Sequence, residues 1–205
     1  MQYEIWNIRD FDADAYDTMY AAASPERQER ADRFRFPDDR MRCLCAQSLA
    51  RRMLAIASGV SPEQITFTYG ERGKPEANLP FYFNLSHSGD FVLCAVSEKP
   101  IGVDIEQIKP FRAGLITRWC SQGEAEFIRG SHHALKDSVT DPEVCARFYR
   151  VWTAKEAYAK MTGKGISTDL TQICYVPEKA TVCGLPLTQI EAPEGYVASI
   201  LESDL

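Results

Sequence analysis

The sequence predicts a protein of mixed helices and strands, arranged as two related lobes that span 1–100 and 101–205. The chain has 205 residues, 45% of them hydrophobic, which is enough for a core but allows either one large domain or two small lobes. Both halves present the same order of patterns: a strand, short helices, one long helix, a glycine and a further strand. Met53–Tyr69 and Tyr158–Tyr175 repeat the end of that order, and Lys99-Pro100 forms a turn between the halves.

In the first lobe, local signals fix where two helices begin and end. Ser24 is a good N-cap and Pro25 suits the first helical position. Gly59 follows a long apolar stripe and ends the longest helix. The predicted elements are a strand at 3–8, helices at 12–23, from 25 onwards and at 38–58, a strand at 65–69, a loop at 70–75 and a strand at 91–96.

The second lobe opens on a short acidic strand and contains one long helix. The helix is predicted from Pro142 to Met161, and it ends before a run rich in glycine. The other predicted elements are a strand at 101–106, helices at 112–119 and 121–129, and strands near 171–177 and 195–202.

Charge and cysteine content exclude several classes of protein. The formal net charge of -6 argues against a general nucleic-acid binder. The seven cysteines include no C-x-x-C pair, and there are only three histidines, so we expect reduced thiols and no zinc site. The chain shows neither an apolar signal region at its start nor a run of about 20 apolar residues. We therefore expect an intracellular, cytoplasmic protein that contacts no membrane.

Two acidic segments carry the first functional signal. In a strand, Asp104 and Glu106 share one face, and in a helix Trp152, Glu156 and Lys160 share one face. If the two elements meet, three carboxylates converge beside one lysine, which suits a hard divalent cation and a phosphate. Alone, each segment is more simply an exposed face or a surface ion pair. Trp152 favours a covered face, where a charged pair needs partners.

A second polar segment, Asn84–Gly89, lies between two apolar β-runs. Ser86 and His87 are neighbours, and neighbours in an extended segment point to opposite faces. The segment has no G-x-S-x-G elbow, which argues against a nucleophilic serine. A turn that offers a hydroxyl, an imidazole and backbone amides to an anion fits better. The alternative is a hairpin corner satisfied by its own side chains.

Basic residues supply a third signal. The loop Arg72–Pro75 holds Lys74 between a glycine and a proline, although it is also an ordinary solvated loop. Within 26–52 there are eight arginines against five acids, a local excess in an acidic protein. Such a cluster favours an anionic ligand over a solvated helix face.

In this order, the segments resemble those of the Sfp-type 4′-phosphopantetheinyl transferases. The resemblance runs from Arg33 to Ser167, with Cys120 in place of an aromatic residue and with no interpretation for His132 and His133. The matching segments are Gly73–Pro75, Phe83–Ser88, Ile101–Glu106, Cys120–Glu124, Trp152–Lys160 and Gly163–Ser167.

The resemblance implies an α+β fold of two lobes with pseudo-twofold symmetry and an active site in the cleft between them. It implies transfer of the phosphopantetheine arm of coenzyme A to a serine of an apo acyl or peptidyl carrier protein, by a monomer. Asp104, Glu106 and Glu156 resemble Mg²⁺ ligands, Glu156 also resembles the base that activates the serine, and Lys160 resembles the lysine on the pyrophosphate. The implied coenzyme A contacts are Arg33, Arg40, Arg42, Lys74, Ser86, His87, Asp104, Lys155 and Lys160.

Three questions stay open at this point. Phe111, Leu115 and Trp119 have helical spacing, and with Ile108 they form either a buried helix face or an exposed apolar surface that docks the carrier. The competing functions are a catalytically silent coenzyme A or carrier binding module and a Mg²⁺-dependent phosphohydrolase. The sequence does not distinguish fatty acid, polyketide and nonribosomal peptide carriers.

Overall fold

A computed structural model of the chain describes residues 1–70, 73–132, 134–163 and 170–203. The chain divides into two compact units, Met1–Ile101 and Gly102–Leu205. The parts of the sequence predictions that concern Arg72, His133 and 164–167 lie outside the described residues. Among the helices that are described, none is both long and apolar enough to cross a membrane.

The first unit contains an antiparallel sheet covered by a long helix. Its elements are β1 (Gln2–Asn7), α1 (Ala13–Ala22), α2 (Pro25–Asp32), α3 (Pro37–Ser58), β2 (Phe67–Tyr69), β3 (Pro75–Ala77), β4 (Tyr82–Ser88) and β5 (Phe91–Ser97). Strand β5 is central and pairs antiparallel with β1 on one side and with β4 on the other. Strands β2 and β3 form a separate antiparallel pair.

Local signals account for the helices of this unit. The Ser24 side chain caps α2 by accepting from the backbone N–H of Arg27, as the sequence predicts. Gly59 ends α3 in the left-handed conformation with φ 71°, where its N–H donates to the Ala55 carbonyl. The apolar stripe of α3 packs on β5, and this contact forms the core of the unit.

The second unit repeats the combination of a sheet and a long helix. Its elements are β6 (Ile101–Gln107), β7 (Phe111–Arg112), α4 (Gly114–Trp119), α5 (Gln122–Arg129), β8 (Ser138–Val139), α6 (Pro142–Met161), β9 (Tyr175–Val176), β10 (Thr181–Val182), β11 (Leu185–Ile190) and β12 (Tyr196–Glu202). The sheet has the order β6-β12-β11-β10-β9. Helix α6 lies on this sheet and supplies more of the buried core residues than any other element.

The predicted bounds of α6 are confirmed. The Asp141 side chain accepts from the backbone N–H groups of Glu143 and Val144, and Pro142 occupies the first turn. The buried face of the helix includes Phe148 and Val151, which belong to the same core cluster as Leu201 of β12. Because both ends are fixed by local chemistry, the helix is a stable platform for the side chains it carries.

Three predicted elements differ from the structure. The helix predicted at 112–119 begins at Gly114, and Phe111, which has helical spacing with Leu115 and Trp119, lies in β7 and pairs with Val139 of β8. The polar segment predicted as a turn is the end of β4, which pairs with β5 as far as Ser88 opposite Phe91. The predicted strand near 171–177 is mainly a 3₁₀ turn, Leu170–Gln172, followed by the two residues of β9. At Phe111, pairing with the distant strand β8 overrides the local helical pattern, whereas the polar end of β4 is held by β5 across a two-residue turn.

Candidate functional site

Strand β6 and helix α6 approach each other closely at Gly102. A Cβ atom on residue 102 would overlap the carbonyl oxygen of Ala157 and would lie 2.5 Å from the backbone nitrogen of Met161. A residue without a side chain is therefore required at this position. The close approach brings Asp104, two residues further along β6, beside the last turns of α6.

Lys160 and Asp104 form an ion pair between these two elements. Lys160 Nζ lies 2.7 Å from Asp104 Oδ1, and the two side chains are 28% and 4% exposed. Glu156 lies one turn earlier on α6 and is also buried. The structure thus brings one carboxylate of β6, one carboxylate of α6 and one lysine into the same region.

The carboxylates of this region repel one another. Burial raises the pKa of Glu156, the Asp104 charge raises it further, and Glu106 contributes in the same direction, whereas Lys160 lowers it. A carboxylate with a raised pKa is a better proton acceptor near neutral pH than an ordinary glutamate. A bound cation would relieve the same repulsion.

The donor chemistry at β6 and α6 fits Mg²⁺. Asp104, Glu106 and Glu156 offer only oxygen atoms, the donors that this hard cation prefers. Across the described ranges, no group of three or more His, Cys, Asp or Glu side chains lies in an arrangement that would hold a metal ion. Mg²⁺ usually keeps several waters and binds through one or two carboxylates together with substrate phosphates. The three carboxylates are thus the residues that could hold it when a phosphate ligand is present.

Aromatic residues cover the start of the same helix face. The Trp152 ring makes an edge contact with Trp119, with centroids 6.4 Å apart, and stacks on Phe148 at 6.1 Å. Trp152 is half-buried, and Glu156 one turn later is 7% exposed. The face is therefore covered rather than solvated.

Lys155 requires a correction, because its ammonium is not available to coenzyme A. The side chain is 1% exposed, and Nζ lies 2.6 Å from Glu124 Oε2. The same nitrogen donates to the carbonyl oxygens of Trp119 at 2.8 Å and Leu170 at 2.9 Å. Three acceptors satisfy the three donors of the ammonium. Lys155 therefore anchors α6 within the second unit.

Glu124, the ion-pair partner of Lys155, had no role assigned in the sequence predictions. Its Oε2 accepts from the backbone N–H of Ser121 at 2.7 Å, and its Oε1 accepts from the backbone N–H of Tyr175 at 2.8 Å. The Ser121–Glu124 spacing is a capping box at the start of α5, a pattern that is visible in the sequence. The capping glutamate thus links α5, β9 and α6 in one buried network.

In the first unit, Ser86 and His87 lie near the end of β4. Ser86 is buried and His87 is exposed, so the two side chains point to opposite faces, as neighbours in a strand do. Lys74 lies just before β3 and is half-buried, and burial lowers the pKa of its ammonium. The serine and the histidine therefore belong to a rigid strand rather than to a turn.

The three predicted arginine contacts differ in how firmly they are held. Arg33 is 74% exposed on its side chain, and among the described residues its ion-pair partner is Glu29, one turn earlier. Arg40 Nε donates to the carbonyl oxygen of Phe34 at 2.8 Å. Arg42 is only 18% exposed and pairs with Asp39. It also donates to the Gly89 carbonyl, at the turn between β4 and β5.

Arg27 is a further arginine that the predictions counted without singling out. It is 7% exposed, its Nη2 donates to the Tyr69 hydroxyl at 3.1 Å, and its guanidinium lies 5.7 Å from the Tyr69 ring centroid. Its Nε has no hydrogen-bond partner among the described residues. A buried arginine with spare donors is suited to an anion.

The apolar set after β6 also requires a correction. Phe111 is 7% exposed and stacks on Phe148 with centroids 4.1 Å apart, so it belongs to the core. Leu115, Trp119 and Ile108 are partly buried and pack against the same core. The interpretation as a buried face is correct for Phe111, and the other three keep some exposed surface.

Family models match both units of the chain. A model described as "4′-phosphopantetheinyl transferase, N-terminal" matches residues 10–99. A second model, described as "4′-phosphopantetheinyl transferase superfamily", matches residues 100–194.

Individual relatives support the same assignment. A 4′-phosphopantetheinyl transferase of Bacillus subtilis is 38% identical over 170 residues, which cover 82% of this chain and 72% of the relative. The transferase ffp of the same species is 34% identical, over 97% of this chain and 90% of the relative. The transferase Sfp of Bacillus subtilis strain 168 is 34% identical, over 82% of this chain and 72% of the relative. The chain therefore belongs to the 4′-phosphopantetheinyl transferase superfamily and, within it, to the Sfp-type transferases.

Proposed function

We propose that this chain transfers the 4′-phosphopantetheine arm of coenzyme A to a serine hydroxyl of an apo acyl or peptidyl carrier protein. The serine oxygen attacks the phosphorus that carries the arm, the pyrophosphate bond breaks, and 3′,5′-ADP leaves. The observation that carries the proposal is the acidic cluster at β6 and α6, in which Glu156 has a raised pKa and Lys160 pairs with Asp104. Family membership supplies the substrate class.

Glu156 is the proposed base for the serine proton. Burial and the charges of Asp104 and Glu106 raise the pKa of its carboxyl, which favours proton transfer from a hydroxyl. Lys160 is proposed to hold the pyrophosphate, because its ammonium is partly exposed and already fixed in position by Asp104. A bound Mg²⁺ would offset the negative charge of the pyrophosphate and of the leaving group.

Contacts to the phosphates of coenzyme A are proposed for basic and polar side chains of the first unit. Arg42 and Arg27 are the better-supported arginines, since both are largely buried and held in place. Arg33 is the weaker candidate because its side chain is mostly exposed. The remaining proposed contacts are Arg40, Lys74, Ser86 and His87.

The proposed carrier surface consists of the exposed parts of Ile108, Leu115 and Trp119. These side chains pack on the core from outside, close in sequence to the acidic strand.

The proposal also includes three features that the family resemblance supports: a pseudo-twofold relation of the lobes, a catalytic cleft and a monomeric state. The cytoplasm is the proposed compartment, which the seven free cysteines support.

Incubation of the chain with coenzyme A, Mg²⁺ and an apo carrier protein tests the proposal. Mass spectrometry of the intact carrier should show the added phosphopantetheine arm, and 3′,5′-ADP should accumulate in equal amount. Tight binding of coenzyme A with no mass gain on any carrier would instead indicate a catalytically silent binding module. Release of 3′,5′-ADP with no modified carrier would indicate a phosphohydrolase.

A further inference from the structure

Two exposed cysteines oppose each other at the end of the β9–β10 ladder. The ladder pairs Val176 with Thr181 and Tyr175 with Val182, and Cys174 and Cys183 are the next residues on the two sides, just beyond its end. The Cys183 N–H donates to the Cys174 carbonyl at 2.8 Å, so the pairing continues to this step. Directly opposed residues in an antiparallel pair have Cα atoms about 4.5–5.5 Å apart. Disulfides require about 4.4–6.8 Å, so the backbone spacing is compatible with a bridge.

These two thiols differ from the other cysteines in accessibility. Cys174 and Cys183 are both exposed, whereas Cys120 is half-buried. The remaining four cysteines are buried: Cys43, Cys45, Cys94 and Cys145. Because a reagent in solution must reach a thiol before it can oxidise it, the opposed pair is the natural target.

The backbone conformation at Cys183 is one that cysteine seldom adopts, so Cys183 is not simply a residue that favours the turn. Cys183 has φ 49°, and together with Ala180 it makes up the non-glycine residues with positive φ in the described chain. It precedes Gly184 in the two-residue connection between β10 and β11. Asn, Asp and Gly are favoured at such a position, and cysteine is not. The backbone conformation therefore does not explain why a cysteine occupies this position, and we look to its side chain instead.

Cys183 neighbours a residue of helix α6, and Cys174 is linked to the same helix through Tyr175 and Glu124. Burial raises the pKa of the Tyr158 hydroxyl of α6, and the neighbouring Cys183 side chain raises it further. Tyr175, next to Cys174, donates its N–H to Glu124, which pairs with Lys155 of α6. A bond between the two sulfurs would therefore tie together the strands that support the helix carrying Glu156.

We propose that Cys174 and Cys183 form a dithiol–disulfide site that exchanges with low-molecular-weight disulfides such as oxidised glutathione. One cysteine thiolate attacks a sulfur of the glutathione disulfide, forms a mixed disulfide and expels the first glutathione thiolate. The other cysteine then attacks the protein sulfur of the mixed disulfide and expels the second glutathione. Two protein thiols are oxidised, and their protons end on the two reduced glutathiones that are released.

The bridge should be reversible rather than structural. It would close a short loop, so it removes less entropy from the unfolded chain than a bridge across a long loop does. Exposed bridges are also easily reached by reducing thiols. The site therefore responds to the ratio of oxidised to reduced glutathione around the protein.

Peptide mapping of the full chain after incubation with oxidised glutathione tests this proposal. The expected product is one linked peptide pair joining Cys174 and Cys183, with the mass loss of two hydrogens, and reduced glutathione should reverse it. Cys174→Ser and Cys183→Ser should each leave the remaining cysteine carrying one glutathione. Cys120→Ser, which removes a thiol with no opposed partner on the ladder, should behave like the wild type.

Hydrogen exchange gives a second measurement on the same samples. The oxidised chain should exchange its amides between Tyr175 and Leu185 more slowly than the reduced chain. Glutathione adducts on both Cys174 and Cys183 with no linked peptide would overturn the proposal. The absence of any reaction at these thiols, or a bridge to Cys120 instead, would overturn it as well.

Discussion

Lys155 and Glu124 form a 2.6 Å ion pair whose side chains are 1% and 0% exposed. Every donor of the ammonium has an acceptor, and the carboxylate also accepts from the backbone of Ser121 and Tyr175. The pair fixes α6 against α5 and β9 immediately beside Glu156. Lys155 therefore holds the helix, whereas its neighbour Glu156 is the residue proposed to act as the base.

Lys155→Met should destabilise the protein strongly. The substitution leaves the Glu124 carboxylate buried without its cation, and breaking a buried pair in this way costs about 3–5 kcal/mol. Urea denaturation of the variant and the wild type measures the difference. The double variant Lys155→Met/Glu124→Leu removes both charges and should recover much of the loss. A stable Lys155→Met variant that binds coenzyme A weakly would show that Lys155 contacts the substrate after all.

Gly102→Ala should separate β6 from α6. The new methyl group would overlap the Ala157 carbonyl, and forced repacking of this kind costs about 1–3 kcal/mol or more. The control is Gly123→Ala in α5, where a Cβ atom meets nothing within 4 Å. Alanine there should stabilise the helix by about 0.5–1 kcal/mol. Thermal unfolding of both variants checks the account, and equal melting temperatures would contradict the close approach at Gly102.

Arg42→Ala should weaken the binding of coenzyme A more than Arg33→Ala does. Arg42 is held against the turn between β4 and β5, whereas Arg33 is largely exposed and must be ordered on binding. We expect about a tenfold loss of affinity for Arg42→Ala, which corresponds to about 1.4 kcal/mol. Isothermal titration with coenzyme A and with dephospho-coenzyme A measures it. An equal loss for both ligands would exclude a contact from Arg42 to the 3′-phosphate.

Glu156→Gln should stabilise the metal-free protein at neutral pH. Because folding raises the pKa of Glu156, the folded state keeps this proton to a higher pH than the unfolded chain does. Wild-type stability therefore falls as the pH rises from the unfolded pKa through the folded pKa, and the destabilisation is absent below that window. The glutamine variant lacks this dependence. Thermal melts in a chelator from about pH 4 to about pH 8 should diverge, and parallel curves would contradict the raised pKa.

The sequence was most informative where local chemistry determines the structure. Ser24 with Pro25, Gly59, and the segment from Pro142 to Met161 obey capping and propensity rules that need no knowledge of the rest of the chain. The strand β4 was missed in part because its polar end has the composition of a turn, whereas the structure confines the turn to the two residues between Ser88 and Phe91. Phe111 was misassigned for a different reason, since its strand partner Val139 is far along the chain.

The candidate site shows the same limit. The periodicity of α6 places Glu156 and Lys160 on one face, and the structure brings Lys160 to Asp104. Periodicity does not reveal that Lys155, one residue before Glu156, points into the core. That information depends on Glu124, a helix-capping residue from another element. The close approach at Gly102 is likewise a tertiary contact that a single glycine in a strand only hints at.

The most direct test of the central claim compares the wild type with Glu156→Gln in two measurements on the same preparations. Calorimetry gives the affinity for coenzyme A, and a single-turnover assay with excess enzyme gives the rate of arm transfer to an apo carrier. The account predicts similar affinity and a transfer rate lower by about 10²–10⁴-fold, because the variant lacks the base. A glutamine variant that transfers the arm at the wild-type rate would contradict the assignment of Glu156.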